Sequence, residues 1–185
     1  DRDAWTGVSS SGSGVAVSAG VAFAAIGSDT GGSIRFPSAS CGLVGLKPTY
    51  GRVSLHGAFP LANSLDHLGP MTRSVEDAAR LLCVMAGFDA QDPNSLNEPV
   101  PNYLQSLSVR EDGSKPLAGK RIGIDWSYVS DGVQASVVDV TRHALDTLAE
   151  LGCEIVEIDV PQGARVLAEV WGLTCGVECA GAHTE

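Results

Sequence analysis

The sequence is poor in aromatic residues, in basic residues and in long apolar runs. Only 5% of its 185 residues are aromatic, and 12 Lys and Arg stand against 22 Asp and Glu. Nucleic-acid binding needs a basic face, and so few scattered basic residues do not supply one. The sequence contains no run of about 18 apolar residues, so no membrane span is predicted. The apolar stretch 15–26 lacks the basic leader of a signal peptide. We therefore expect neither a nucleic-acid partner nor a membrane partner.

Cysteine patterns typical of metal sites or disulfide frameworks are also lacking. The cysteines are Cys41, Cys83, Cys153, Cys175 and Cys179. Their number is odd, their spacing is irregular and no C-x-x-C occurs. Cys175 and Cys179 could share a helix face, but two thiols alone make a poor zinc site. We interpret all of them as free thiols in a reducing cytoplasm, and we expect no metal and no cofactor.

Three segments divide the chain. Residues 1–73 are rich in Gly, Ser and Ala, residues 74–118 form a helix and a surface connection, and residues 119–185 carry strands and helices. The length suits one domain or a large part of a bigger one. Since 44% of the residues are hydrophobic, the chain can bury a sizeable core.

The second and third segments have clear local signals. Ser74 and Asp77 form a helix start signal, and apolar spacing continues the helix over 74–87. Four prolines predict a connection with little regular structure over 89–118, apart from a short turn near Tyr103–Leu107.

A strand at 121–126, a helix at 133–151 and a strand at 154–160 make a βαβ unit in the third segment. A further helical pattern occupies 163–183 and has no closing signal. At the other end, Asp1 leads almost directly into a loop. We therefore expect the sequence to be part of a longer one.

Two Ser/Gly-rich loops stand apart in the first segment, at 7–14 (GVSSSGSG) and 27–33 (GSDTGGS). Between them, an Ala/Val-rich run predicts a helix followed by a strand around 24–28. The second loop approaches a Walker A motif, but the lysine that partners phosphate is missing and Asp29 would repel a phosphate. The first loop fails the dinucleotide fingerprint because Val17 stands where the third glycine belongs. Both departures argue against phosphate binding.

A hydrolase elbow of the G-x-S-x-G type is absent as well. Ser9 has Gly7 before it and Ser11 after it, while Ser33 is followed two residues later by Arg35. The four histidines show no triad spacing, and we interpret each as a surface or core residue. They are His56, His67, His143 and His183.

A serine at a glycine-rich turn between strand and helix suits a third role. Successive backbone N–H groups there can converge on an oxyanion, and a helix beginning at Ser33 would add its dipole. The serine still needs a base. Taken alone, these residues leave a Ser/Gly linker, a tight turn and a helix cap open as alternatives.

The order of motifs from 7 to about 92 resembles the amidase signature family. The resemblance is carried by 7–13, by 27–37, by CGLVGLKPTYGRVS at 41–54 and by SLDHLGPM at 64–71. It continues more loosely to the end of the chain. The resemblance implies an α/β fold with an amidase-signature-type core, a mixed β-sheet flanked by helices, present only in part.

The resemblance also implies roles for individual residues. Ser33 is the nucleophile, and Ser9, on a cis peptide, relays its proton to an unprotonated lysine. Asp29 and Arg35 support the loop. The implied oxyanion-hole donors are the N–H groups of Thr30, Gly31, Gly32 and Ser33. Val8 and Ser11 replace two glycines of the usual family loop.

The lysine of the family lies well upstream of the cis serine. This sequence begins eight residues before Ser9, so we expect the lysine to lie outside it and the isolated 185 residues to be inactive. Lys47 matches a structural lysine of the family. Ser64–Asp66 is expected to form a buried turn without a catalytic role. The tryptophans Trp5, Trp126 and Trp171 are interpreted as packing residues.

The function implied is hydrolysis of a carboxylic amide C–N bond through a serine acyl-enzyme, with a small-molecule amide as substrate. Two other functions stay open. The chain could be the glutamine amidase subunit of a transamidase with a partner subunit, or a homologue that binds without catalysis. A homodimer is open as well.

Overall fold

The computed structural model describes residues 5–107, 115–160 and 162–184. These residues form two compact units. The first comprises 5–107 and 170–184, and the second comprises 115–160 and 162–169. The sequence-based segment 119–185 is therefore shared between the units, because its last helix contributes its carboxyl-terminal half to the first one.

The first unit is built on a three-stranded antiparallel sheet. Its elements are α1 (Ser11–Ser18), β1 (Ala24–Asp29), α2 (Arg35–Cys41), β2 (Val44–Gly45), β3 (His67–Thr72) and α3 (Val75–Met85). The strand order is β1-β3-β2. The register pairs Ala24 with Thr72 and Asp29 with His67, so β1 ends opposite the start of β3.

Helices α1 and α3 pack on the sheet and close its core. The side chains of Val17, Ile34 and Met71 are fully buried there. Helix α3 begins as predicted, because the Ser74 hydroxyl accepts a hydrogen bond from the N–H of Asp77 at 3.1 Å. The core thus lies directly behind the loop that follows β1.

The second unit contains the predicted βαβ arrangement. Strands β4 (Arg121–Ile124) and β5 (Glu154–Glu157) are parallel, and α5 (Ala135–Glu150) lies between them in the chain. Both strands are shorter than predicted. Strand β4 ends early because a short helix, α4 (Trp126–Ser130), begins two residues after it. Asp125 caps α4 by accepting a hydrogen bond from the N–H of Tyr128 at 3.0 Å. Residues 108–114 of the predicted connection lie outside the described residues.

The last helix, α6 (Gln162–Ala182), is the longest one described. From residue 170 onward it belongs to the first unit. Within the described ranges, no helix is both long enough and apolar enough to cross a bilayer.

Candidate active site

The loop that carries Ser9 is fastened to the loop that carries Ser33. The N–H of Ser10 donates a hydrogen bond of 3.2 Å to the carbonyl oxygen of Ser33. The Ser10 hydroxyl also bonds both the N–H and the carbonyl oxygen of Ser28, each at 3.1 Å. The peptide bond between Val8 and Ser9 is cis. The two serines of the implied triad therefore lie on segments that touch each other.

Gly7 allows the Ser9 loop to approach the start of α2. Its φ is +76°, and a Cβ at this position would lie 2.5 Å from the Cα of Pro37. The clash would involve main-chain atoms, which cannot rotate away. Only glycine fits both the backbone conformation and the space.

Ser33 lies in the turn between the end of β1 and the start of α2. Its side chain is half-buried, whereas Ser9 is exposed. Helix α2 begins at Arg35, two residues later than the sequence predicts, and it is only 7 residues long. The turn is held by bonds from neighbouring side chains rather than by Ser33 acting as a helix cap.

Asp29 organises this turn from its buried position at the end of β1. Its carboxylate accepts hydrogen bonds from the N–H groups of Gly32 at 2.7 Å and Ile34 at 3.2 Å. The guanidinium of Arg35 donates two more, both at 2.9 Å. Burial acts to raise the pKa of Asp29, but the bonds from Arg35, Gly32 and Ile34 outweigh it, so the pKa lies below the ordinary value. Asp29 and Arg35 are thus brought together around the turn.

The backbone amides of the turn do not all face the same way. The N–H of Gly32 is directed to Asp29, so this amide is engaged by a carboxylate in the structure. In the described part of the chain, the N–H groups of Thr30, Gly31 and Ser33 bond no acceptor. Of the four predicted donors, Gly32 is therefore engaged and the other three are free.

Aromatic rings cover the two glycines before Ser33. A Cβ on Gly32 would clash with the ring of Phe36, and a Cβ on Gly31 would clash with the indole of Trp171. The indole Nε1–H of Trp171 donates a hydrogen bond of 3.1 Å to the carbonyl oxygen of Thr30. The sequence alone predicts no more than a packing role for Trp171. No local pattern could link it to Thr30, because 141 positions separate them.

Asp66 braces the turn from the opposite side. Of the predicted buried turn Ser64–Asp66 only Asp66 is buried, whereas Ser64 is exposed. The Asp66 carboxylate accepts a hydrogen bond of 2.5 Å from the Thr30 hydroxyl. The same carboxylate accepts bonds from the N–H groups of Leu61 and Ala62 at 2.8 and 2.9 Å. One acidic side chain thus connects the turn before Ser33 to the segment around residue 61.

A cavity of about 110 Å³ opens between Thr30 and this segment. Its wall includes Leu55, Phe59, Leu61 and His67, so it is mostly apolar with a few polar groups. Mixed lining of this kind is typical of small-molecule sites. Thr30, which forms part of its wall, lies three residues before Ser33 along the chain.

Lys47 interacts electrostatically with Arg35 and Asp29. Its Nζ donates a hydrogen bond of 2.8 Å to the carbonyl oxygen of Pro48. Burial lowers the pKa of Lys47, and the charge of Arg35 lowers it further. Across the described ranges, no group of three or more His, Cys, Asp or Glu side chains is arranged to hold a metal ion.

The family model for amidases matches residues 1–180. The chain belongs to the amidase family.

The chain is similar to amidotransferase A subunits and to amidases. Among curated proteins, the chain is 49% identical over 162 residues to the A subunit of the glutamyl-tRNA(Gln) amidotransferase of Oleidesulfovibrio alaskensis, a match that covers 88% of this chain and 32% of that protein. Among solved structures, the corresponding amidotransferase protein from Thermotoga maritima gives a TM-score of 0.85 at 34% identity, over 98% of this chain and 38% of that one. The peptide amidase from Stenotrophomonas maltophilia gives 0.77 at 40% identity, over 88% of this chain and 32% of that one. The chain spans about a third of the length of these relatives.

Proposed function

We propose that these residues carry the nucleophile and the oxyanion donors of a serine amidase that hydrolyses a carboxylic amide. Ser33 is the nucleophile and Ser9 is the proton relay. The substrate is a small-molecule amide, which enters by way of the cavity beside Thr30.

The proposed reaction has two halves. The Ser33 hydroxyl oxygen attacks the amide carbonyl carbon, while its proton passes through the Ser9 hydroxyl to the lysine that the family resemblance implies. The oxyanion that forms is stabilised by the free N–H groups of the turn, those of Thr30, Gly31 and Ser33. Collapse of this intermediate breaks the C–N bond, and the amine or ammonia leaves with the proton. Water then hydrolyses the acyl-enzyme by the same route in reverse.

The single observation that carries the proposal is the bond from the N–H of Ser10 to the carbonyl oxygen of Ser33. It supports a fixed distance between the relay and the nucleophile, since it joins the residue after Ser9 to Ser33 itself. The buried carboxylate of Asp29 supports the proposal further, because its bonds hold the main chain on both sides of Ser33.

The test is labelling of the complete protein with a fluorophosphonate probe, which reacts with activated serines. We expect one labelled peptide that contains Ser33, and no label in the Ser33→Ala variant. The matched control is Ser106→Ala, since Ser106 is an exposed serine of the same unit. Absence of label from correctly folded protein, or a label on another serine, would overturn the nucleophile assignment.

A second candidate is a glutamine amidase subunit that supplies ammonia to a partner subunit. The 49% identity to one component of a glutamyl-tRNA(Gln) amidotransferase supports it. The same chemistry serves both candidates, so labelling does not separate them. Release of ammonia from free glutamine, stimulated by co-purified partner subunits, would favour the second candidate. Hydrolysis of peptide amides by the protein alone would favour the first.

The proposed compartment is the cytoplasm. All five cysteines are free, including the buried Cys153. Free thiols persist in reducing compartments and are oxidised in secreted proteins. Labelling of all five by a maleimide in freshly lysed, denatured cells would support this proposal.

A further inference from the structure

Trp171 makes a polar contact as well as an apolar one with the turn of residues 30–34, the nucleophile turn. Its indole Nε1–H donates to the carbonyl oxygen of Thr30 at 3.1 Å, and 42% of the residue remains exposed. The hydrogen bond therefore joins helix α6 to the main chain of the nucleophile turn.

The acceptor of this bond belongs to a peptide unit that matters for catalysis. The carbonyl of Thr30 and the N–H of Gly31 are parts of one planar peptide group. The only cis bond in the described residues is the one before Ser9, so the Thr30–Gly31 bond is trans. In a trans peptide the C=O and the N–H point in opposite directions. A donor that fixes the carbonyl on one side also fixes the N–H on the other.

The indole also restrains this peptide by contact. A Cβ on Gly31 would clash with Cζ2 and Cε2 of Trp171, so the ring lies directly against the glycine. The φ of Gly31 is outside the left-handed range, unlike that of Gly32 at +130°. The need for glycine at position 31 therefore comes from the ring, whereas position 32 needs glycine for its backbone too.

Helix α6 is itself anchored at a second point on the same unit. Glu178, seven residues after Trp171, accepts hydrogen bonds from the N–H of Ser64 at 2.9 Å and from its hydroxyl at 2.5 Å. Residues seven apart lie on one face of a helix. The indole is thus presented from a helix face that is held in place, which gives its bond to Thr30 a defined direction.

We propose that Trp171 is a positioning residue: it orients the Thr30–Gly31 peptide so that the Gly31 N–H faces the oxyanion. This inference rests on the proposed function of Ser33. The polar bond also polarises the peptide, and this makes the Gly31 N–H a better donor. Removing one oxyanion donor outright costs about 100- to 1,000-fold in rate. Loosening its orientation is expected to cost less, roughly 5- to 50-fold.

The test measures the reaction of the complete protein with a fluorophosphonate probe, as a maximal inactivation rate (kinact) and a half-saturation constant (KI). Trp171→Phe keeps an aromatic ring and removes the N–H. We expect kinact to fall by roughly 5- to 50-fold while KI stays within about twofold of wild type. The matched control is Trp126→Phe, because Trp126 lies in the second unit, where Arg142 stacks on its ring. Its kinact should equal that of the wild type.

Two results would overturn the inference. An unchanged kinact in Trp171→Phe removes the positioning role, and a raised KI with unchanged kinact makes Trp171 a wall of the binding site instead.

If Trp171→Phe loses the native circular dichroism spectrum, Gly31→Ala decides, because its methyl group displaces the ring while the indole is kept. A wild-type kinact in Gly31→Ala then overturns the inference. Wild-type protein that is not labelled at Ser33 overturns the proposed function together with this inference, whereas normal wild-type labelling with an unaffected Trp171→Phe overturns this inference alone.

Discussion

The N–H of Ser10 donates a hydrogen bond of 3.2 Å to the carbonyl oxygen of Ser33. This one bond joins the loops of Ser9 and Ser33, which lie 24 positions apart in the sequence. It joins main-chain atoms only, so removal of the Ser9 hydroxyl or of the Ser33 hydroxyl leaves it in place. Removal of a single hydroxyl can therefore test chemistry without dismantling the site.

The proton-relay role of Ser9 can be tested by removing its hydroxyl. In the complete protein, Ser9→Ala is expected to reduce amide turnover by about 100- to 10,000-fold, the usual contribution of a positioned proton-transfer group. The free energy of unfolding should change by less than about 0.5 kcal/mol, because Ser9 is exposed. Steady-state kinetics and urea unfolding measure the two quantities. Ser18→Ala is the control, since the Ser18 hydroxyl bonds the carbonyl of Cys41; equal activities of the two variants would refute the relay role.

Gly7 and Gly20 form a matched pair for the close approach of the Ser9 loop. Both have left-handed φ, +76° and +74°, but only Gly7 has atoms of Pro37 where a Cβ would be. Gly20→Ala should destabilise the protein by about 1–2 kcal/mol, from the backbone conformation alone. Gly7→Ala should destabilise it more and abolish probe labelling of Ser33. Urea unfolding and labelling of both variants test this, and equal behaviour would show that contact with Pro37 is unimportant.

The carboxylate of Asp29 is expected to be needed for both stability and reactivity. Asp29→Asn leaves at least one buried N–H without its acceptor, at a cost of about 1–3 kcal/mol. Labelling of Ser33 should slow as well, because the turn is no longer held. Asp125→Asn is the control, since Asp125 accepts bonds from Ser127, Tyr128 and Val160 in the second unit. It should destabilise the protein while Ser33 labels at the wild-type rate; a normal rate in Asp29→Asn would contradict the prediction.

The contribution of Asp29 to the free energy of unfolding should be lost at acidic pH. Its pKa is lowered in the folded protein from an ordinary value of 3.8. A carboxylate with a lowered pKa contributes stability above its unfolded value and loses that contribution as the pH falls through the folded value. The difference in unfolding free energy between wild type and Asp29→Asn should thus be constant above the ordinary value and shrink below it. Urea titrations at a series of pH values measure this, and a difference that persisted at the lowest pH would exclude the linkage.

Elements with local signals were predictable from the sequence. Helix α3 follows from Ser74, Asp77 and an apolar spacing that needs no distant partner. The parallel pair β4 and β5 follows from two short apolar strands separated by a helix. Their ends were less accurate, because Asp125 starts α4 where the sequence suggests that the strand continues.

Strand β3 shows why other parts could not be predicted. It is the central strand of its sheet, yet it contains Gly69 and Pro70, which argue against a strand when read locally. Pro70 is accommodated because its carbonyl oxygen accepts the N–H of Leu46 at 3.0 Å while it has no N–H of its own to satisfy. The bond between Trp171 and Thr30 is a second case, since it depends on how α6 packs and not on any neighbouring residue.

The cavity wall next to Thr30 is held at both ends, because the N–H of Leu55 donates a hydrogen bond of 2.8 Å to the carboxylate of Asp92. Asp66 holds the amides of Leu61 and Ala62, whereas Ala58 and Phe59 are exposed and lie before this anchor. Positions 58–60, between these two anchors and after Gly57 with its left-handed φ of +84°, therefore form a cassette that can be randomised in a library without touching the bonds that hold the nucleophile turn. For enzyme engineering, we expect this cassette to be the place where selectivity among amides can be changed at the least cost in folding.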